Sequence, residues 1–200
     1  MLYKRRNTMP PKTAITRERI ICAATELVRM SGAEALNARS LAKMIGCSTQ
    51  PLFYQFESMN DIKESVISEA KRVYEAYLMR EMERSDFPKY KLSGLGYIRF
   101  AREEKELFKL LFMRERENGS VPEEDAVTDE IVLKMSEITG LTLESAKKMH
   151  GVMWAFVHGI AAMAATNYLF LDESMISDMM TKVYRGLLSE YGKEDKNDQN

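Results

Sequence analysis

Five prolines stand at positions 10, 11, 51, 88 and 122, and none follows. A chain so rarely interrupted can run long helices, because proline is the residue that removes an amide donor and clashes with the preceding turn. The apolar residues use that freedom. They recur at intervals of three and four, and nowhere alternate with polar residues for long enough to make a strand. Asn118-Gly119, a dipeptide of the hairpin type, lies inside the polar loop "RENGSVPEED". The expected class is all-α, with about nine helices.

Local signals place the helix ends. Thr16 is set to cap a first helix to Met30, with Ile20, Ile21, Ala24, Leu27 and Val28 as its apolar stripe and Gly32 as its stop. Asn37 caps a second, Ala38 to Ile45, with Leu41, Ala42 and Ile45 inward. Gly46 breaks that helix, and a third short one covers Thr49 to Phe56. Ser58 with Asp61 three residues on resembles a capping box that opens a long fourth helix to Glu83. Beyond "SDFPKYKL" further helices are expected at 89–103, 104–116, 123–139, 143–170 and 173–191. The expected division is a basic flexible arm (1–15), a small N-terminal helical domain (16–62), a larger helical domain (63–192) and a frayed tail (193–200).

The formal net charge of −1 hides an asymmetry. Up to residue 56, nine cations (Lys4, Arg5, Arg6, Lys12, Arg17, Arg19, Arg29, Arg39, Lys43) face three acids (Glu18, Glu26, Glu34), so that part carries +6 and the remainder −7. A basic N-terminal part on an acidic body points to a polyanionic partner for that part alone. Cys22 and Cys47 lack CxxC spacing and a nearby histidine, which fits buried thiols in a reducing cytoplasm rather than a disulfide framework or zinc knuckle. No apolar run follows the basic start "MLYKRRNTMPPK", so no signal peptide is read there. The longest apolar stretch, Gly151 to Ala165, is shorter than the ~20 residues of a membrane span and reads as a buried helix. A cytoplasmic protein with no membrane partner is expected.

A helix-turn-helix needs a small residue where its helices cross, a turn residue that tolerates positive φ, and an apolar lock on the second helix. Ala42, Gly46 and Leu52 fill these places in order. On a helical wheel Leu52, Phe56 and Thr49 share one side, while Gln50 and Tyr54 point away, flanked by Pro51, Phe53 and Gln55. Amides pair with adenine edges, aromatic rings and proline touch thymine methyls, and a tyrosine hydroxyl reaches phosphate. The expected DNA contacts are Arg39, Ser40, Thr49, Gln50, Pro51, Phe53, Tyr54 and Gln55, with Lys12 and Arg17. An ordinary αα-hairpin with a polar outer face would need neither the amides nor the charge asymmetry.

From Thr16 to Ile67 the sequence resembles the N-terminal domain of TetR-type transcriptional repressors. Order, spacing and residue type agree at Ile20, Ala23, Ala24, Leu27, Gly32, Leu41, Ala42, Gly46, Leu52 and Phe56. The resemblance implies a homodimer that sets its third helix in successive major grooves of a pseudo-palindromic operator. "MWAFVHGIAAMAATN" is similar to the Trp–His–Gly-bearing regulatory domain of one TetR subgroup. Three positions depart from the family pattern. Phe53 replaces a tyrosine whose hydroxyl holds phosphate, Met59 replaces a lysine at the start of helix four, and Gln50-Pro51 replaces the commoner Gly-Thr. Tyr54 and Arg39 are the residues placed to compensate.

The body is rich in methionine and aromatics. Phe100, Phe108, Leu111 and Phe112, with Met149, Met153, Trp154 and His158, fall at core spacing, and as a group they suit an adaptable apolar pocket for a small effector, which the resemblance also implies. His150 and His158 share no acid or cysteine at ligand spacing, so no metal or cofactor is expected. Gly151, Ala155 and Gly159 form a groove of small side chains, and Ile176, Met180, Val183 and Leu187 repeat at a helix-seam spacing. These two stripes are expected to build a four-helix dimer interface, the alternative being that both face inward within one subunit. No catalytic triad, phosphate loop or carboxylate pair is visible, so an enzyme is not expected. The reading is a one-component repressor released by a small, partly hydrophobic effector. A TetR-like regulator controlled by a protein partner or without effector, and a helical module that never touches DNA, are the alternatives.

Overall fold

The Thr16 hydroxyl accepts the Arg19 amide at 3.3 Å, satisfying one of the donors that a helix start leaves open. From that cap α1 runs over Arg17–Ser31 and ends at Gly32. A 3-10 turn, Ala33–Ala35, leads to α2 (Ala38–Ile45). There Asn37 Oδ1 accepts the amides of Arg39 at 3.1 Å and Ser40 at 3.0 Å, and Ser40 Oγ accepts the Asn37 amide at 3.3 Å. The computed structural model describes residues 15–113 and 126–197. Within them lie eight α-helices, two 3-10 turns and no strand.

The other helices are α3 (Met59–Met82), α4 (Lys89–Glu103), α5 (Lys105–Phe112), α6 (Ala126–Thr139), α7 (Leu143–Ala165) and α8 (Glu173–Asn197). Ser58 caps α3 by accepting the Asp61 amide at 3.2 Å, and Asp61 reaches back to the Glu57 amide at 3.2 Å. Three expectations need correction. Thr49 to Phe56 is not an α-helix but a 3-10 turn, Leu52–Tyr54, with flanking turns. Pro51 has no amide to donate, and the Leu52 and Phe53 amides reach back only three residues, to Thr49 and Gln50.

The second correction is that α7 stops at Ala165, short of 170. Asn167 takes φ 56°, its amide bonds Ala164 O, and the Tyr168 amide bonds Met163 O, the pattern that closes a helix through a left-handed residue. Thirdly, α8 continues past 191 to Asn197, through the tail expected to fray. Asp195 holds that last stretch by accepting from Thr142 N (2.7 Å), Thr142 Oγ1 (2.9 Å) and Ser145 Oγ (2.6 Å) at the start of α7. These bonds, Ser145 first, hold its carboxyl below the usual range.

One continuous apolar cluster runs from head to body. Ile20, Ala24 and Val28 of α1 meet Leu41, Leu52, Phe56, Ile62 and Val66, and the cluster extends through Leu92 and Phe100 of α4, Leu107 and Phe108 of α5, Ile160 and Ala161 of α7, and Ile176 and Met180 of α8. α1 packs on α3 and α5, and α4 is layered between α3 and α7. A smaller cluster, Val132, Met135, Leu141, Ala146 and Met149, joins α6 to α7.

Where α3, α4 and α8 meet, a carboxylate is buried. Glu81 is 1% exposed and pairs with Arg84 at 2.8 Å and with Arg99. Glu173, at the start of α8, accepts from the same two guanidiniums at 2.9 Å each, and Asp86 takes Arg84 at 2.6 Å. The two guanidiniums, Arg84 first, hold Glu173's carboxyl below its ordinary value. Glu81→Gln is expected to cost about 1–3 kcal/mol, the weakening of its charge-assisted bonds, since Arg84 and Arg99 both keep Glu173. The check is a lowered urea midpoint at unchanged slope.

Candidate nucleic-acid interface and aromatic core

The crossing between α2 and the segment 49–56 is built as its residue types require. Gly46 ends α2 in the left-handed region, φ 79° and ψ 38°, and its amide reaches Ala42 O at 3.0 Å. Ala42 is 4% exposed under the crossing, and Leu52 and Phe56 are buried as locks at 0% and 3%. With those anchored, the rest of the segment is sorted. Gln50, Phe53, Tyr54 and Gln55 are exposed, and Thr49 and Pro51 are half-buried. Phe53 presents a ring without a hydroxyl, and beside it Tyr54 is 72% exposed with its phenol outward.

The flanking residues differ more from expectation. Arg39 on α2 is exposed, as is Lys43 one turn on. The Ser40 hydroxyl is occupied within the chain: it accepts the Asn37 amide and donates toward Ala35 O at 2.6 Å. Arg17 is also engaged. Its Nη1 donates to Gln55 O at 2.9 Å, and its Nη2 donates to Asp61 Oδ1 at 3.0 Å and Ser65 Oγ at 3.3 Å. The guanidinium lies 4.0 Å over the Phe56 ring. The Arg17 bond, ahead of the Glu57 amide, holds the Asp61 carboxyl below its ordinary value. Met59 packs against the core. Lys12 lies outside the described residues.

Five of the eight residues expected in a pocket gather around one aromatic group. Trp154 stacks on His158 with centroids 5.0 Å apart and planes 14° apart, and Phe108 lies 5.8 Å from the imidazole at 30°. Phe112 contacts Phe108 at 5.3 Å and Phe100 at 6.5 Å. Leu111 is buried in the same cluster. Met153 is buried too, whereas Met149 belongs to the separate cluster with Val132 and Met135.

Three members of the group escaped the sequence reading: Tyr74 and Tyr77 of α3 and Tyr97 of α4. Each stands one helical turn from another aromatic, and that i,i+3 spacing was the available signal. Tyr97 Oη lies 2.9 Å from His158 Nδ1, and Tyr90 Oη lies 3.2 Å from His150 Nδ1, so both histidines meet tyrosines of α4. Burial, with help from a bond to Glu103, pushes the Tyr77 phenol up to about 12. A cleft of about 610 Å³ opens elsewhere, between the end of α1 and the α4–α5 corner, and its walls are mostly polar: Arg29, Ser31, Glu103, Glu104, Lys105 and Glu106 with Met30.

The two stripes assigned to a dimer point in opposite directions. Gly151, Ala155 and Gly159 are exposed, and a side chain added at either glycine would meet nothing within 4 Å. Ile176 and Met180 of α8 are instead 2% and 3% exposed within the subunit, so they cannot form a seam with a second chain in this conformation. Met180 packs beside Gly94 of α4. A Cβ there would stand 2.5 Å from Met180 Cε, so the glycine makes the seat that α8 fills. Val183 and Leu187 are half-buried, Leu187 against the smaller cluster.

Desolvation lowers His158 below the ordinary imidazole pKa. The unfolded chain therefore takes up its proton at higher pH than the folded chain. The stability this represents is complete above about pH 6.5 and is lost as pH falls from there through the folded value. The thermal midpoint of the wild-type protein is expected to drop more between about pH 7 and 5 than that of His158→Gln, which retains an acceptor for Tyr97. Parallel curves would remove His158 as the cause.

No family model matches the sequence, and no curated protein matches it. Solved structures do match. A protein of unknown function from Rhodococcus sp. RHA1 superposes with a TM-score of 0.68 at 19% identity, covering 91% of this chain and 98% of that one. A candidate TetR-family transcriptional regulator from Vibrio parahaemolyticus superposes with a TM-score of 0.58 at 17% identity, covering 84% of this chain and 96% of its own. At such identities the likeness is one of fold: the chain has a TetR-like, all-α fold.

Proposed function

We propose that this chain is a one-component DNA-binding transcriptional regulator, acting as a repressor rather than an enzyme. In this reading it binds a pseudo-palindromic operator as a homodimer, the segment 49–56 of each subunit entering the major groove. The observation that carries it is the sorting of that segment. Leu52 and Phe56 are buried, while Gln50, Phe53, Tyr54 and Gln55 are presented outward beside Arg39 and Lys43. Amides and rings on a cationic rim match base edges framed by phosphates. The similarity to the Vibrio parahaemolyticus regulator supports the same reading at the level of fold.

Dimerisation is assigned to the open small-residue face of α7, Gly151, Ala155 and Gly159, which allows close approach of a second helix. Release by a small, partly hydrophobic effector is assigned to the aromatic group, with Trp154 and His158 as its outer members and the Trp–His–Gly likeness in support. A regulator controlled by a protein partner, or without effector, is favoured by one observation: Phe100 and Phe108 are fully buried, their space filled by other side chains of the same chain.

Selection of bound sequences from a random DNA pool tests the reading, and recovery of no preferred sequence would reject it. On a recovered site Gln50→Ala is expected to lose about 1–3 kcal/mol of discrimination while non-specific binding changes little. Tyr54→Phe is expected to weaken all sequences alike, as a lost phosphate contact does.

A further inference from the structure

We propose that Arg17 is a positioning residue: it fixes the segment 49–56 against the rest of the head and does not itself touch DNA. The inference deepens the DNA-binding reading above and rests on it for its functional consequence. The segment has little to hold it on its own. A 3-10 turn of three residues closed by i→i+3 bonds lacks the cooperative ladder of a longer helix. Leu52 and Phe56 anchor it from within. At its far end, the guanidinium of Arg17 supplies the remaining restraint.

The geometry of that restraint is specific to a planar fork. One arm, Nη1, donates to the carbonyl of Gln55, the last exposed residue of the outward face, at 2.9 Å. The other arm, Nη2, donates to Asp61 at 3.0 Å and Ser65 at 3.3 Å on α3. The plane covers the Phe56 ring at 4.0 Å. Asp61 is fixed in turn by the Glu57 amide at 3.2 Å, so the chain on both sides of the segment's exit is tied to one side chain. A lysine at this position keeps the charge but cannot serve two acceptors in fixed directions while lying flat on a ring. The Arg17 and Asp61 side chains are 43% and 32% exposed, so the pair contributes little to global stability, and its effect falls on local order.

The test compares full-length wild type with Arg17→Gln, Arg17→Lys and Asp61→Asn. Hydrogen exchange reads order directly. The Gln55 and Phe56 amides, both bonded to Leu52 O, should exchange at least about fivefold faster in Arg17→Gln, with α1 and α3 unchanged. Unchanged exchange at both amides overturns the proposal, whatever the protein does with DNA. On a selected site, Arg17→Gln and Arg17→Lys should each reduce the ratio of specific to non-specific affinity by at least about fivefold, while the salt dependence on random DNA stays the same.

If Arg17 instead contacts phosphate, Lys preserves binding, and Gln weakens all sequences equally and lowers the salt slope by about one; that outcome also overturns the proposal. Should Arg17→Gln fail to fold, Arg17→Lys and Asp61→Asn carry both readouts. If the wild-type protein shows no sequence preference, the DNA-binding reading fails, and the positioning role stands or falls on exchange alone.

Discussion

A carboxylate that is 1% exposed needs cations on more than one side, and Glu81 obtains them from the loop after α3 and from α4. Arg84 lies just past the end of α3 and Arg99 on α4, and both are shared with Glu173 at the start of α8. The stacking of the body follows from this one constraint. α3 and α4 must lie side by side to close the pair, and α8 must begin where its first residue completes the network. Met180 then falls, further along α8, into the space left by Gly94. The bonds are directional, so they specify how the three elements meet at this corner.

The head is joined to that body by both apolar and polar contacts. α1 packs on α3 and α5 within the same buried cluster, and Arg29 at its end forms a two-armed bond to Glu104, at 2.8 and 3.1 Å. Its guanidinium is thereby held above its ordinary pKa. Glu104 lies between α4 and α5, next to the aromatic group that contains Phe100, Phe108 and Tyr97. α1 thus carries contacts to both parts: Arg29 at its end bonds Glu104, and Arg17 at its start bonds Gln55 O. The segment after α2 and the aromatic group thus belong to one packed body.

How legible each part was in the sequence tracks how local its cause is. Asn37, Thr16 and Ser58 cap the helices they were expected to cap, because a cap is a contact between residues three apart. Gly46 takes the left-handed turn for an equally local reason. The outward order of Gln50, Tyr54 and Gln55 came from spacing and is unchanged, although the wheel assumed an α-helix and the segment is a 3-10 turn. Arg17 is one of the residues expected to contact DNA, and the structure also gives it partners within the chain. Its partners Gln55, Asp61 and Ser65 stand 38 to 48 positions away, where no periodicity reaches.

The sequence by itself determined that the chain is helical, where its early helices begin, and that a turn with a polar, aromatic outer face follows Gly46. These depend on propensity, capping and period, each a property of a few consecutive residues. Tertiary structure alone decided which apolar stripe turns inward. Gly151, Ala155 and Gly159 are left open, while Ile176 and Met180 are consumed in the core formed with α4 and α7. It also extended α8 to Asn197, through a carboxylate that serves the start of α7 rather than its own helix. A stripe records only that a face is apolar; what that face meets depends on helices distant in sequence.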